Sequence, residues 1–354
     1  MPWQCSACAA VNRDVARFCG SCGSPRHSPE SVCETQLASK VTIAASPELT
    51  RYPVRTGYLG GLGAPSGRHT VLHEQYQVVR EIARGGQGVM YEAVDLLTND
   101  RVAIKTLRME AIANPQNYPQ AVARIRNEAL LLAMLRHPNI VQVLALFEEN
   151  GAPHIVMEYL DGLTLARITA NAGGRLPVAE AVDYARQICA ALAYMHAHAP
   201  PIIYRDVKPD NVMASRSFAA VVNTGAEPRL SIPSGRSVAK LIDFGLARKY
   251  RAGAHGDTSV FGSLGYAPPE QYGAAQTDAR SDVFALGVTL LVLLTGYNPA
   301  TNTNIAGQLP RARSLNSLLS GDIEEIIVRA TQPYPEDRWQ SARAFDLALS
   351  ALNL

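Results

Sequence analysis

Residues 283–294 are apolar on nearly every face of a helix, with Val283, Phe284, Leu286, Leu290 and Leu293 spread around its circumference. A helix without a polar side belongs inside a protein. The run is too short to cross a bilayer, which takes about 20 residues. A chain of 354 residues has the length for two to three domains, and 47% hydrophobic and 18% charged residues give an ordinary globular balance.

A net charge of +2 gives no reason to expect a nucleic-acid-binding surface or a polybasic membrane patch. The opening Met1-Pro2-Trp3-Gln4-Cys5 has neither the basic start nor the apolar run of a signal peptide. The chain therefore reads as cytoplasmic, with no membrane segment and no nucleic-acid partner expected.

Cys5-x-x-Cys8 and Cys19-x-x-Cys22 place two thiolates on each of two tight turns. Two such turns can close a tetrahedral Zn²⁺ site. Two disulfides or a redox pair are the rival reading, and the lack of an export signal weighs against structural disulfides. So small a segment has too little core to fold alone, so a structural Zn²⁺ would supply its folding energy. Residues 1–24 resemble a zinc ribbon, for which a docking partner is one role and nucleic-acid contact another. Residues 25–72 are rich in Ser, Pro, Gly and Ala without sustained periodicity, which predicts a flexible linker.

Chemistry concentrates in residues 204–211, Tyr-Arg-Asp-Val-Lys-Pro-Asp-Asn, and in Asp243-Phe244-Gly245. The first segment sets a carboxylate, an ammonium and a carboxamide in one short loop. Asp206 can accept a hydroxyl proton, Lys208 can offset charge on a moving phosphoryl group, and Asn211 with Asp243 can hold Mg²⁺. A second signal lies upstream. Glu128 shares a helix face with Leu131, Leu132 and Leu135, an expensive place for an unpaired charge. A buried pair with Lys105, at the end of Val102-Ala103-Ile104, would explain it.

Together these segments resemble the signature set of protein kinases, closest to the bacterial Ser/Thr kinases. The resemblance implies an α+β, two-lobed protein kinase fold over residues 73–350. Its small β-rich lobe would span 73–159 and its large helical lobe 160–350. Within it, the glycine loop Ile82, Ala83, Gly85, Gly86, Gly88 and Met90 would cradle ATP phosphates. Ala83 stands where the family has its first glycine, and Met90 where a valine packs on adenine. Ala103, Lys105, Glu128, the gatekeeper Met157 and the hinge backbones of Glu158 and Leu160 would complete the nucleotide site.

The same resemblance makes Asp206, Lys208, Asn211 and Asp243 catalytic, with Asn211 and Asp243 on Mg²⁺ or Mn²⁺. Arg205 would serve a phosphorylated activation loop, in which Thr258 and Ser259 are candidate acceptors. Ser263 would lie near the substrate hydroxyl, and Glu270 would pair with Arg338. The helix over 177–198 would pack beneath the catalytic loop, and the apolar helix, opened by Asp282, would be the post of the large lobe. Residues 215–238 exceed the family's short turn and read as an exposed insertion.

The implied activity is ATP-dependent transfer of the γ-phosphoryl group to Ser/Thr hydroxyls of protein substrates, the chain itself included. A pseudokinase, a ribbon that docks protein or nucleic acid, and phosphotransfer to a small molecule are the alternatives. Nothing in the sequence sets the oligomeric state.

Overall fold

The computed structural model describes residues 70–85, 88–107, 118–149, 151–215, 237–250, 263–272, 276–301 and 309–354, and the backbone of two short strands further upstream. The chain divides into two units, 1–67 and 68–354. In the first, β1 (Trp3–Gln4) and β2 (Val11–Asn12) pair antiparallel, with Trp3 opposite Asn12. The four paired cysteines and residues 25–69 of the predicted linker lie outside the described residues, whereas Val71 and Leu72, at the linker's predicted end, instead form a strand of the second unit.

The second unit opens with an antiparallel sheet in the order β3-β4-β5-β6-β8-β7. Its strands are β3 (Val71–Leu72), β4 (Tyr76–Gly85), β5 (Gly88–Asp95), β6 (Arg101–Thr106), β7 (Val143–Glu149) and β8 (Ala152–Glu158). Alternation along a strand sends successive side chains to opposite faces. Val102, Ile104 and Val156 accordingly join a small core with Tyr76, Ala93 and Phe147. Ile155 and Met157 face the other way, onto α1 (Tyr118–Ala133), whose Ile125, Ala129 and Leu132 belong to the main core.

After the crossover Leu163–Thr164 (β9), α2 (Leu165–Asn171) and α3 (Val178–His196) begin the helical half. Helix α3 starts and ends inside the predicted 177–198, because Pro177 takes the N-cap position and Ala197 the C-cap. Short strands follow: β10 (Ile202–Ile203), β11 (Val212–Ser215), β12 (Val238–Leu241) and β13 (Arg248–Lys249). Ser215 is paired with Val238, so the β11–β12 ladder is complete up to its last residue. The two ends of the predicted insertion 215–238 are thus strand residues, and residues 216–236 lie outside the described residues.

The apolar helix is α5 (Ala279–Thr295), preceded by α4 (Pro269–Tyr272). It begins earlier than expected. Asp278, not Asp282, is its cap: the Asp278 carboxylate accepts the Arg280 N–H at 2.8 Å, and Ser281 Oγ accepts the Asp278 N–H. Gly296 ends it at φ +75°, where a Cβ would meet the Gly174 carbonyl oxygen at 2.6 Å. Helices α6 (Ala312–Leu315), α7 (Gly321–Ala330) and α8 (Ala342–Ser350) pack around it with α3. No helix among the described residues is long and apolar enough to cross a membrane.

Candidate active site

The β4–β5 hairpin puts Ala83 opposite Met90 and Gly85 opposite Gly88. Gly88 has φ +134°, and a Cβ there would stand 2.3 Å from the Thr106 carbonyl oxygen. Only glycine lets β5 begin so close to β6. Ile82 is exposed on the hairpin, Met90 packs against the main core, and Gly86 lies outside the described residues. Across the β6–β8 ladder, Ala103 faces the buried Met157. The chain then leaves the sheet through Glu158, Tyr159 and the half-buried Leu160.

Lys105 follows Ile104 in β6, so alternation turns it toward α1. Its Nζ lies 2.8 and 2.9 Å from the two carboxylate oxygens of Glu128, and 3.6 Å from Asp243 Oδ1. Burial alone would favour the neutral amine, but the charges of Glu128 and Asp243 prevail and raise the Lys105 pKa. Burial likewise lifts Glu128 above the usual carboxylate range, with Lys105 pulling against it.

The loop over residues 204–211 hangs from α5. Asp282, fully buried in the first turn, accepts the backbone N–H of Tyr204 at 2.9 Å and of Arg205 at 2.7 Å. His196 Nε2 lies 2.8 Å from the same carboxylate. Arg205 adopts φ +71°, its carbonyl accepts a hydrogen bond from Gln271 Nε2, and Thr289 Oγ1 donates to the carbonyl of Val207. The backbone on both sides of Asp206 is thereby fixed by side chains from the large-lobe core.

Asp206 is buried and receives three donors. Ser263 Oγ donates to Oδ1 at 2.7 Å, Asn211 Nδ2 donates to Oδ2 at 2.7 Å, and Lys208 Nζ lies 3.1 Å from Oδ2. Lys208 also donates to Ser263 Oγ at 2.5 Å. Asn211 directs a second bond from Nδ2 to the Asp206 carbonyl, so its amide nitrogen is committed and its oxygen lies on the opposite side of the amide. Val212 pairs with Leu241, and the Ile242 N–H donates to the Asn211 carbonyl, which sets Asn211 beside the chain leading to Asp243. One amide oxygen and one carboxylate are hard donors suited to Mg²⁺ or Mn²⁺. The residues fit such an ion.

Tyr204 is buried edge-on to Phe244, with ring centroids 4.9 Å apart. Burial lowers the pKa of Arg205, with Asp282 acting in the opposite sense. Glu270 and Arg338 meet in a two-pronged ion pair at 2.7 and 2.9 Å. Thr258 and Ser259 lie outside the described residues. Sequence reasoning does not single out Asp282, Gln271 and Thr289 for the site. A charge abutting an apolar helix is the available signal for Asp282, the same one that exposes Glu128.

Residues 76–352 match the protein kinase domain family. The chain belongs to the protein kinase family. Its fold is the protein kinase fold, with a curled β-sheet lobe and a helical lobe. The kinase domain of Mycobacterium tuberculosis PknI superposes with a TM-score of 0.58 and 26% identity, covering 79% of this chain and 97% of that one. Among curated kinases, Myxococcus xanthus serine/threonine-protein kinase Pkn1 is 32% identical over 94% of this chain and 45% of its own length. Bacillus subtilis serine/threonine-protein kinase PrkC is 34% identical over 76% of this chain and 39% of its own. The chain thus spans less than half the length of these curated relatives.

Proposed function

We propose that the chain is an ATP-dependent serine/threonine protein kinase, in line with the bacterial Ser/Thr kinases it resembles. The observation that carries this reading is the run of contacts Glu128–Lys105–Asp243, which joins the small lobe to the strand end beside Asn211 and Asp206. Backbone amides of the glycine loop and the Lys105 ammonium would hold the phosphates of ATP. Asn211 and Asp243 would hold a divalent cation, which when bound neutralises phosphate charge.

Asp206 orients the acceptor hydroxyl and takes its proton as the acceptor oxygen bonds to the γ-phosphorus. The bond from that phosphorus to the bridging oxygen breaks, and ADP departs. Each Asp206 carboxylate oxygen has two lone pairs, so the Ser263, Asn211 and Lys208 bonds leave an acceptor site for the substrate hydroxyl. Lys208 stays at the edge of the carboxylate, placed to offset charge on the moving group. Most of the rate would come from positioning and charge stabilisation.

Incubation of the full chain with Mg-ATP and a protein substrate, followed by mass-spectrometric mapping, should show phosphate on Ser and Thr, in the chain as well as the substrate. Thr258 and Ser259 are the acceptors proposed within the chain. Lys105→Met should lower transfer roughly a hundredfold, as expected on removal of one preorganised cationic donor. Phosphate on no residue of either protein would end the reading.

We propose a structural Zn²⁺ on Cys5, Cys8, Cys19 and Cys22, supported by their spacing and by strands β1 and β2, which flank the Cys5–Cys8 stretch in sequence. Such a ribbon would present a docking surface for a partner. Purified protein should carry about one zinc per chain, as closed four-cysteine sites do, and Cys19→Ser should lose it. A metal-free preparation of unmodified protein would remove the assignment.

A further inference from the structure

Glu158 enters the proposed reaction only through its backbone, and Lys240 does not enter it at all. Their side chains nonetheless form an ion pair of 2.6 Å in which both are almost wholly buried, at 6% and 5% exposure. The partners belong to different lobes: Glu158 ends β8, whereas Lys240 lies in β12, three residues before Asp243. Glu158 Oε1 also accepts the Gln142 N–H at 2.9 Å, and the Glu158 N–H donates back to the Gln142 carbonyl at 3.0 Å.

Residues 139–142 are held between these two strands. The Val141 N–H donates to the Leu241 carbonyl, the Leu241 N–H to the Asn139 carbonyl, and Asn139 Nδ2 to the Ala239 carbonyl, all within 2.9 Å. His137 steadies the turn before them. Burial, helped by the charge of Lys240, brings its pKa down to about 4, so its Nδ1 accepts the Asn139 N–H at 3.1 Å.

Two charge contacts therefore join the same pieces of the two lobes. At one end, Lys105 of β6 meets Asp243 just beyond β12, at 3.6 Å. At the other, Glu158 of β8 meets Lys240 within β12, and β8 is the ladder partner of β6. The hydrogen bonds of residues 139–141 to β12 tether the small lobe near one point, about which it could still tilt. Two contacts along one strand set its angle. Well-packed apolar side chains would stabilise such a place at least as well as a buried ion pair, whose best-attested use is to fix one arrangement among several.

We propose that Glu158 and Lys240 are a positioning pair, a hinge latch that fixes the angle between the lobes and so the distance from the nucleotide to Asp243. The proposal rests on the kinase reading above.

The test uses the full chain, with Mg-ADP affinity measured by calorimetry, KM for ATP, kcat and Tm. In the double variant Glu158→Leu with Lys240→Met no buried charge is left alone, so Tm should stay within a few degrees of the parent. If the latch holds the binding-competent arrangement, its loss should weaken Mg-ADP binding and raise KM for ATP about fivefold, by lowering the competent fraction. kcat at saturating ATP should change less than twofold. Parental Kd and KM at parental Tm would show that the pair only fills space, and would overturn the proposal. Should the double variant not fold, Glu158→Gln with Lys240→Met, which keeps the Gln142 acceptor and removes the pair, is read instead, and an unchanged Kd there overturns it equally. Failure of the unmodified protein to bind Mg-ADP would instead sink the kinase reading itself.

Discussion

Asp206→Asn should reduce phosphoryl transfer by about a thousandfold, the middle of the range for losing a positioned acid–base group. The substitution changes almost nothing else. An amide has the shape of the carboxylate, and with its oxygen toward Asn211 Nδ2 and Lys208 it keeps both of those bonds. Its nitrogen then faces Ser263, whose hydroxyl can rotate from donor to acceptor. What the amide lacks is a basic oxygen to receive the substrate proton. Lys105, Glu128 and Asp243 make no contact with the altered group, so Mg-ATP affinity should stay within about twofold, separating chemistry from binding. Single-turnover transfer beside a nucleotide titration checks both halves. Equal transfer by the two proteins would remove Asp206 from the mechanism.

The residues proposed for this chemistry are legible for two different reasons. Glu128 sits on the apolar face of its helix, which is visible in sequence at spacings of three, four and seven. Asp206, Lys208 and Asn211 fall within one loop, so their grouping needs no knowledge of the fold. The apolar helix α5 is equally plain, since no face of it is polar.

Other parts depend on contacts between distant segments and leave no periodic trace. Lys240 reads as an ordinary strand lysine until β12 is placed against Gln142 and Glu158. A carboxylate before an apolar run commonly caps the helix, which makes Asp282 the natural choice from sequence. The role falls to Asp278 instead, which releases Asp282 to hold the backbone at Tyr204 and Arg205. Helix α1 begins at Tyr118, before the run of leucines, and its earlier turns already set Ala121, Val122 and Ile125 against the main core.

Arg338 should be the costliest single residue to lose from the large lobe. Its side chain is completely buried and its guanidinium donates in five directions. Nη1 and Nη2 reach the two oxygens of Glu270 at 2.7 and 2.9 Å. The remaining donors satisfy the carbonyls of Gln332, Arg280 and Pro333. Arg338→Met keeps much of the volume but leaves the Glu270 carboxylate buried with Ser281 Oγ at 2.8 Å as its surviving partner. Stranding one member of a buried pair costs roughly 3–5 kcal/mol. For a domain of this size that corresponds to a fall in Tm of about 10 °C. Adding Glu270→Gln removes the stranded charge and should restore part of the loss, but not all of it, because the three carbonyls still lack their donor. Thermal unfolding of the parent, both single variants and the double variant gives the coupling energy directly. A fall in Tm below about 2 °C for Arg338→Met would be far less than a stranded buried carboxylate requires, and would mean that Glu270 finds water or another donor when Arg338 is gone.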